Sequence, residues 1–123
     1  MQRLTKAEEE IMHLIWDHAP CTVAQLLDVI TKTKGGKKPP HSTISTLVRS
    51  IEEKGFLDHK AYGRTYEYFP IVKKEAYSRT HLQGFLKNYF DNSPSQLVSF
   101  LVKDQNISLD ELQELMKQLE ENQ

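Results

Sequence analysis

Cysteine is nearly absent from this sequence of 123 residues, in which Cys21 is the single example. An internal disulfide and a thiolate-rich metal cluster are therefore excluded. No apolar run approaches the roughly 18 residues that a membrane helix needs, and the residues after Met1 lack the apolar core of a signal peptide. The sequence therefore predicts a cytoplasmic protein with no segment inserted in a membrane.

Motifs of catalysis and cofactor binding are also missing. There is no glycine-rich phosphate loop and no nucleophile motif. The five histidines are never spaced at i, i+4 from one another, so a metal site on one helix is not predicted. Cys21 is interpreted as a small buried residue between the first two helices, with an enzyme that uses this thiol as a minor alternative. We therefore expect no enzyme, no metal and no cofactor.

The net charge of −1 conceals an uneven distribution. Residues 32–64 contain eight basic and three acidic side chains, so this segment carries a charge of +5 and the rest of the chain −6. Such an asymmetry indicates either a polyanionic partner or a solvated basic loop. The basic side chains are Lys32, Lys34, Lys37, Lys38, Arg49, Lys54, Lys60 and Arg64.

Capping motifs predict where the first two helices begin. Thr5 is followed three residues later by Glu8, and Thr22 by Gln25. In this spacing the hydroxyl accepts from an amide of the first turn, while the longer side chain reaches back to the cap. Pro20 separates the two helices because it cannot continue the first one.

A third helix is predicted from about His41 to Lys54, followed by a hairpin. The apolar residues of the helix follow an i, i+3, i+4, i+7 spacing, which forms one stripe for packing. After Gly55 the pattern changes to the alternation of strands, with residues 57–62 and 65–69 flanking a turn at Gly63. The stripe consists of Ile44, Leu47, Val48 and Ile51.

Three helices followed by a hairpin predict a winged helix-turn-helix, which is mainly α with a small β-hairpin wing. In such a unit the third helix enters the major groove of DNA, about 12 Å wide, while its apolar stripe stays packed. Its outward side chains can bond phosphates and base edges, and basic wing residues can reach phosphates or the minor groove. His41 is either a contact or a helix cap. The other predicted contacts are Ser42, Thr43, Ser45, Thr46, Arg49 and Ser50 on the helix and Lys60 and Arg64 on the wing.

The same features leave a second interpretation open, a winged-helix module that binds a partner protein instead of DNA. The two differ in their response to salt. Neutralisation of several phosphates gives a steep fall of affinity with salt, about 0.9 in log–log slope for each contact.

The C-terminal third carries more apolar surface than its length can bury. Helices are predicted over residues 75–90 and about 95–102, and a last one from Ser108. The last two helices are too short to bury this surface alone. A two-fold dimer is therefore favoured over packing of these helices back onto the winged domain. Residues 1–71 are thus predicted to be a DNA-binding domain and residues 72–123 a helical dimerisation domain. The predicted dimer contacts are Leu97, Leu101, Leu112, Leu115, Met116 and Leu119.

Three stretches occur in a characteristic order. They are L-T-K-A-E at residues 4–8, T-I-S-T-L-V with K-G-F-L within residues 43–57, and G-R-T-Y-E-Y-F-P at residues 63–70. In this order and spacing the sequence resembles the penicillinase-repressor, methicillin-resistance-repressor and copper-repressor group of bacterial winged-helix regulators. The resemblance continues more loosely to the last helix and covers nearly the whole chain.

The resemblance implies a homodimeric repressor that occupies a palindromic operator, an inverted repeat in double-stranded DNA. The family's contacts map onto the start of the third helix, from His41 to Thr46, then onto Arg49 and Ser50, and onto Arg64 in the wing. Members of the family often have a basic pair at the positions of His41 and Ser42, and a lysine or arginine at that of Ser50. We therefore expect a different operator sequence.

The resemblance also suggests how repression ends. In the antibiotic-resistance branch, a membrane sensor-protease leads to cleavage of an Asn-Phe bond in the dimerisation domain. The matching bond here is Ser99–Phe100, where the serine departs from the pattern. In the copper branch C-terminal cysteines bind metal, and this sequence has no cysteine beyond Cys21. Relief of repression by proteolysis, with a link to antibiotic resistance, is the hypothesis for this chain.

Overall fold

The structure, a computed structural model, describes residues 2–33, 35–104 and 107–121. The side chains of Leu115, Met116 and residues 118–121 lie outside the described part. Three predicted dimer contacts are among them, namely Leu115, Met116 and Leu119. The predicted architecture, mainly helical with a small hairpin, is confirmed. The elements are α1 (Lys6–His18), α2 (Val23–Thr33), α3 (His41–Glu53), β1 (Leu57–Tyr62), β2 (Thr65–Pro70), α4 (Lys74–Tyr89), α5 (Pro94–Asp104) and α6 (Leu109–Glu121).

The helices α1 and α2 begin at the predicted capping boxes. The Thr5 hydroxyl accepts from the Glu8 amide at 3.2 Å, and the Glu8 carboxylate accepts from the Thr5 amide at 2.8 Å. Thr22 and Gln25 make the same reciprocal pair, at 3.2 and 2.9 Å. These bonds satisfy amides of the first turn that have no partner inside the helix.

The wing is an antiparallel hairpin in which β1 pairs with β2. Its register places His59 opposite Tyr68 and Lys60 opposite Glu67. Gly63 has a φ of 64° and is the first residue of the two-residue turn, where tight hairpins require a positive φ. Positive φ is also needed at Gly55, φ 88°, where the chain leaves α3 for β1.

The segment between α1 and α2 is attached to the wing through Cys21. Its amide donates to the Tyr68 carbonyl at 3.0 Å, and the Tyr68 amide donates back to the Cys21 carbonyl at 2.7 Å. The prediction that Cys21 is a small buried residue is confirmed, since its side chain is buried. Its backbone partner lies on β2, which the sequence did not indicate.

The hydrophobic core lies within one compact unit, residues 1–77. The apolar faces of α1, α2 and α3 meet there and are closed by Phe56 and Leu57 at the start of the hairpin. The predicted stripe of α3 is confirmed, with Leu47 at its half-buried edge. The largest fully buried side chains are Phe56, Met12, Ile15, Leu26, Ile51, Leu57, Val48 and Cys21.

Trp16 and Tyr77 attach the segment that follows the hairpin to α1. The Trp16 indole donates to the Val72 carbonyl at 2.9 Å, and the Tyr77 hydroxyl donates to the Glu9 carboxylate at 2.7 Å. The Tyr77 ring is buried and meets Phe56 edge-on at a centroid distance of 5.4 Å. The compact unit therefore continues past residue 71 into the first turn of α4.

The second unit, residues 78–123, contains the rest of α4 together with α5 and α6. Among its described residues no side chain is fully buried. Phe90 contacts Phe85 and Phe100 at centroid distances of 5.5 and 5.6 Å, which gives this unit a small aromatic cluster. In the described part of the chain, every helix is too short or too polar to cross a membrane.

A buried carboxylate connects α1 to α3. Glu8 accepts hydrogen bonds from the Ser50 hydroxyl and the Lys54 ammonium, each at 2.5 Å, in addition to the Thr5 amide. Burial alone would raise the pKa of Glu8, but the bonds from Lys54, Ser50 and Thr5 outweigh it and lower the pKa to about 2. The group therefore stays ionised inside the fold.

We expect Glu8→Gln to destabilise the fold and to flatten its response to acid. In the unfolded chain the carboxyl titrates near its ordinary pKa of 4.5, against about 2 in the fold. Its contribution, roughly 3 kcal/mol, is therefore fully present above pH 4.5 and is lost as the pH falls toward 2. Urea unfolding across this pH range, with the exposed neighbour Glu10→Gln as the control, measures the effect. Parallel pH profiles for Glu8→Gln and the wild type would contradict it.

Candidate nucleic-acid interface

The outward face of α3 carries two short polar side chains, followed along the helix by an arginine. Ser42, Thr46 and Arg49 are exposed and follow one another at i, i+4 and i+7, so they lie along one line of the helix. The buried residues of α3 occupy the opposite side. We call these three residues the α3 polar line. Two further predicted contacts flank it, the exposed Thr43 and the half-buried Ser45.

The N-terminus of α3 lacks a side-chain cap. Pro40 holds the cap position and makes no such bond, so the interpretation of His41 as a cap is wrong. The Thr43 amide donates to the Pro40 carbonyl at 3.1 Å. The amides of His41 and Ser42 precede it at the open end of the helix, where backbone donors and the helix dipole favour an anion. The His41 side chain is exposed beside them.

Ser50 lies apart from the other predicted contacts. Its hydroxyl donates to the buried carboxylate of Glu8, on the side of α3 that faces α1. That Ser50 contacts DNA stays a prediction, and its half-buried hydroxyl is engaged with Glu8 and does not lie along the outward face. Lys54 follows it on the same side, with its ammonium on Glu8 as well.

The positive charge of residues 32–64 that faces solvent is smaller than the sequence count, because Lys54 is paired with Glu8. Lys34 lies outside the described residues. Lys37 and Lys38 are exposed in the loop directly before α3, although sequence reasoning did not include them among the contacts. Among the described residues of the segment, the exposed basic side chains are Lys32, Lys37, Lys38, Arg49, Lys60 and Arg64.

The two predicted wing contacts differ in their surroundings. Arg64 occupies the exposed turn of the hairpin, next to Gly63. Lys60 is exposed on β1 but lies directly opposite Glu67 in the register, so an acidic side chain is its cross-strand neighbour. Of the two, Arg64 is the better placed to meet a phosphate.

His59 joins the wing to α3, which sequence reasoning missed. Its Nδ1 lies 2.5 Å from a carboxylate oxygen of Glu52 in the last turn of α3. Its ring is stacked on Tyr66 at a centroid distance of 4.3 Å and an angle of 22°. Burial raises the pKa of Tyr68, the negative charge of Glu52 raises it further, and the positive charge of Arg49 lowers it.

His59, Tyr66 and Tyr68 lie on one face of the hairpin. Their alternation along the two strands was the one sequence signal that could have shown this face.

The environment of Cys21 is unsuited to thiol chemistry. Burial raises the pKa of the thiol to about 11, and the negative charge of Glu67 contributes in the same direction. A thiol in this state is almost entirely protonated at neutral pH and is a poor nucleophile. The geometry gives no support to an enzyme that uses Cys21.

The predicted dimer contacts and cleavage site lie on the last two helices. Leu97 and Leu101 on α5 and Leu112 on α6 are half-buried. Leu115, Met116 and Leu119 have side chains outside the described part. Ser99 and Phe100 are exposed within α5, so the bond between them is part of a helix.

The sequence matches the penicillinase repressor family over residues 4–121. Its relatives include the penicillinase repressor of Bacillus licheniformis, 26% identical over 120 residues that cover 98% of this chain and 91% of the relative. Another is the methicillin resistance regulatory protein MecI of Staphylococcus aureus strain N315, 25% identical over 112 residues that cover 91% and 89%.

Among solved structures, the fold resembles the DNA binding domain of the repressor BlaI, determined in solution. The TM-score is 0.51 at 28% sequence identity, and the match covers 63% of this chain and 94% of that one. The prediction of a winged helix is thereby confirmed. The named relatives are regulators and not enzymes, in agreement with the prediction of a non-enzymatic protein. From a family match that spans almost every residue, the chain belongs to the penicillinase repressor family.

Proposed function

We propose that this chain is a transcriptional repressor that binds an inverted repeat in double-stranded DNA as a homodimer. The observation that carries the proposal is the outward orientation of the α3 polar line on a helix whose other sides are engaged in packing. The likeness to a DNA binding domain of a repressor supports DNA as the partner.

The geometry of α3 suits insertion into the major groove. Its 13 residues span about 20 Å, and the side chains of Ser42 and Thr46 are short enough to let the helix approach the base edges. Arg49, one turn further on, can reach a guanine edge or a phosphate. Sequence preference is therefore assigned to Ser42 and Thr46, and Arg49 contributes either preference for guanine or positive charge against a phosphate.

Phosphate contacts are proposed on both sides of the inserted helix. The open amides of His41 and Ser42, with the exposed Lys37 and Lys38, offer donors and positive charge at one end. Arg64 in the wing turn offers a second contact. These contacts fix the register of the helix in the groove and carry little sequence information themselves.

Dimerisation is proposed from the second unit. No described side chain there is fully buried, and large apolar side chains remain exposed, with Leu82 50% exposed and Tyr89 72% exposed. A second copy presents the same surface, so a two-fold contact can cover both at once. The exposed set is Leu82, Phe85, Tyr89, Val98, Phe100 and Leu109.

The direct test of function is selection of bound fragments from a randomised DNA pool by the full chain at physiological salt. We expect an inverted repeat whose half-sites are spaced by about one or two helical turns. A pool without enrichment would contradict the proposal and would favour a protein partner for α3.

We expect Arg49→Ala and Arg64→Ala to weaken binding to the selected fragment by roughly 1–3 kcal/mol each. For each variant that removes a phosphate contact, the slope of log affinity against log salt should fall by about one. Fluorescence anisotropy at several salt concentrations measures both quantities. Lys6→Ala, which removes an exposed cation from α1, serves as the control. Affinity that does not change with salt would overturn the assignment of phosphate contacts.

We expect Leu82→Glu together with Val98→Glu to dissociate the dimer without unfolding residues 1–77. Both side chains are exposed in the single chain, so the monomer tolerates the charges, whereas each charge buried in an interface costs several kcal/mol. Sedimentation equilibrium measures the shift to monomer. Asn88→Glu adds a charge at an exposed polar position of α4 and should leave the dimer intact. A double variant that stays dimeric would place the interface elsewhere.

Relief of repression is proposed to occur by cleavage of the Ser99–Phe100 bond. Both residues are exposed, but their bond lies within α5, so this helix must open locally before a protease can bind it in an extended form. We expect Ser99→Asn, which restores the residue of the family pattern, to speed the loss of intact chain in cells treated with an inducing β-lactam. Immunoblots of chain length over time measure the effect. A chain that stays intact while its target genes are transcribed would contradict the proposal.

A further inference from the structure

The junction between α3 and β1 brings together two carboxylates and an imidazole. One ligand atom each from Glu52, Asp58 and His59 lies within 4.8 Å of the other two. Glu52 is in the last turn of α3, whereas Asp58 and His59 are near the start of β1. The reversal of the chain at Gly55 places the three side chains side by side, although they are separated in sequence by a turn.

The donor set has the chemistry of a transition-metal site. An imidazole nitrogen favours zinc and similar ions over magnesium and calcium, which prefer oxygen ligands alone. Two carboxylates match the charge of a divalent cation. In a zinc site with bonds of about 2.0–2.2 Å, three protein ligands leave a position for water. Asp58 is exposed and the other two residues are half-buried, so that position would face solvent.

The ligand geometry is partly fixed in advance by neighbouring groups. Tyr66 is stacked on the His59 ring at 4.3 Å, which limits rotation of the imidazole. One oxygen of Asp58 accepts from the His59 amide at 2.8 Å, which orients this carboxylate and leaves its second oxygen available. Supporting contacts of this kind orient the ligands of natural metal sites.

We propose that Glu52, Asp58 and His59 form a surface site for a divalent transition-metal ion of the zinc type, which fastens the wing to α3. Arg49 lies one turn before Glu52, so the ion would neutralise two carboxylates close to the α3 polar line. Bound zinc would therefore strengthen binding to DNA, since less negative charge would face the phosphates. This last consequence rests on the proposed function, whereas the metal site does not.

The site is tested by titration of the full chain with zinc chloride in a non-chelating buffer. Calorimetry should show one saturable site per chain, and NMR should show amide shifts centred on residues 52–59. Asp58→Asn leaves the Glu52–His59 pair in place, so it separates loss of a ligand from damage to the fold. We expect it to weaken zinc binding by at least about tenfold, and His59→Gln to do the same.

Matched controls come from neighbouring groups outside the cluster. Glu53→Gln removes an exposed carboxylate next to Glu52, and His18→Gln removes an exposed imidazole of α1. Both should bind zinc like the wild type. Absence of saturable binding, or equal loss in Asp58→Asn and the controls, would overturn the metal site.

The consequence for DNA is measured separately with the selected fragment. Zinc should raise the affinity of the wild type and leave that of Asp58→Asn unchanged. Zinc binding by a chain that binds no DNA would refute the proposed function while upholding the metal site. Zinc binding without any change in DNA affinity would overturn the proposed coupling.

Discussion

The buried carboxylate of Glu8 is the interaction on which the presentation of α3 depends. An ionised group in the interior is costly unless its hydrogen bonds are satisfied, and here the Thr5 amide, the Ser50 hydroxyl and the Lys54 ammonium satisfy it. The same carboxylate that begins α1 therefore also holds the C-terminal half of α3. On another side of α3, Glu52 is tied to the wing through its contact with a histidine. Two sides of α3 are bonded to α1 and to the wing, and its apolar stripe is packed in the core. The α3 polar line is therefore the side that is open to a partner.

The two units differ in how many of their side chains are buried. Residues 1–77 contain all the fully buried side chains of the described chain, so this unit can hold α3 rigidly by itself. The second unit exposes large apolar side chains and has no buried core among its described residues. In the proposed function, the exposed apolar side chains of the second unit form the contact between the two copies of the dimer. Residues 1–77 contain 12 basic and 10 acidic side chains, a net charge of only +2. One winged domain therefore has only modest attraction for DNA, so two linked half-sites are needed for a stable complex.

Local signals in the sequence were enough to predict the elements. Capping boxes, the glycines that end α3 and turn the hairpin, and the change from helical to alternating apolar spacing depend only on neighbouring residues. The bonds that orient the elements join residues far apart in sequence, such as Ser50 and Lys54 with Glu8. In the sequence, Ser50 lies on the polar side of an amphipathic helix, which is typical of a residue exposed to solvent. Only the position of α1 in the fold shows that its hydroxyl donates to Glu8. For the same reason, counting histidine spacings within one helix could not find Glu52, Asp58 and His59 together.

The orientation of Ser50 changes how its departure from the family pattern is understood. A lysine or arginine at this position would start from the side of α3 where Ser50 and Lys54 bond Glu8. Variation at position 50 is therefore expected to change how α3 is fixed to α1, in addition to any effect on the predicted contact with the operator. His41 and Ser42, by contrast, are exposed at the open end of α3. In the proposed function, the two residues that stand where the resemblance implies a basic pair bear most directly on which DNA sequence is bound, since they change the charge and the hydrogen-bonding groups where the helix would enter the groove.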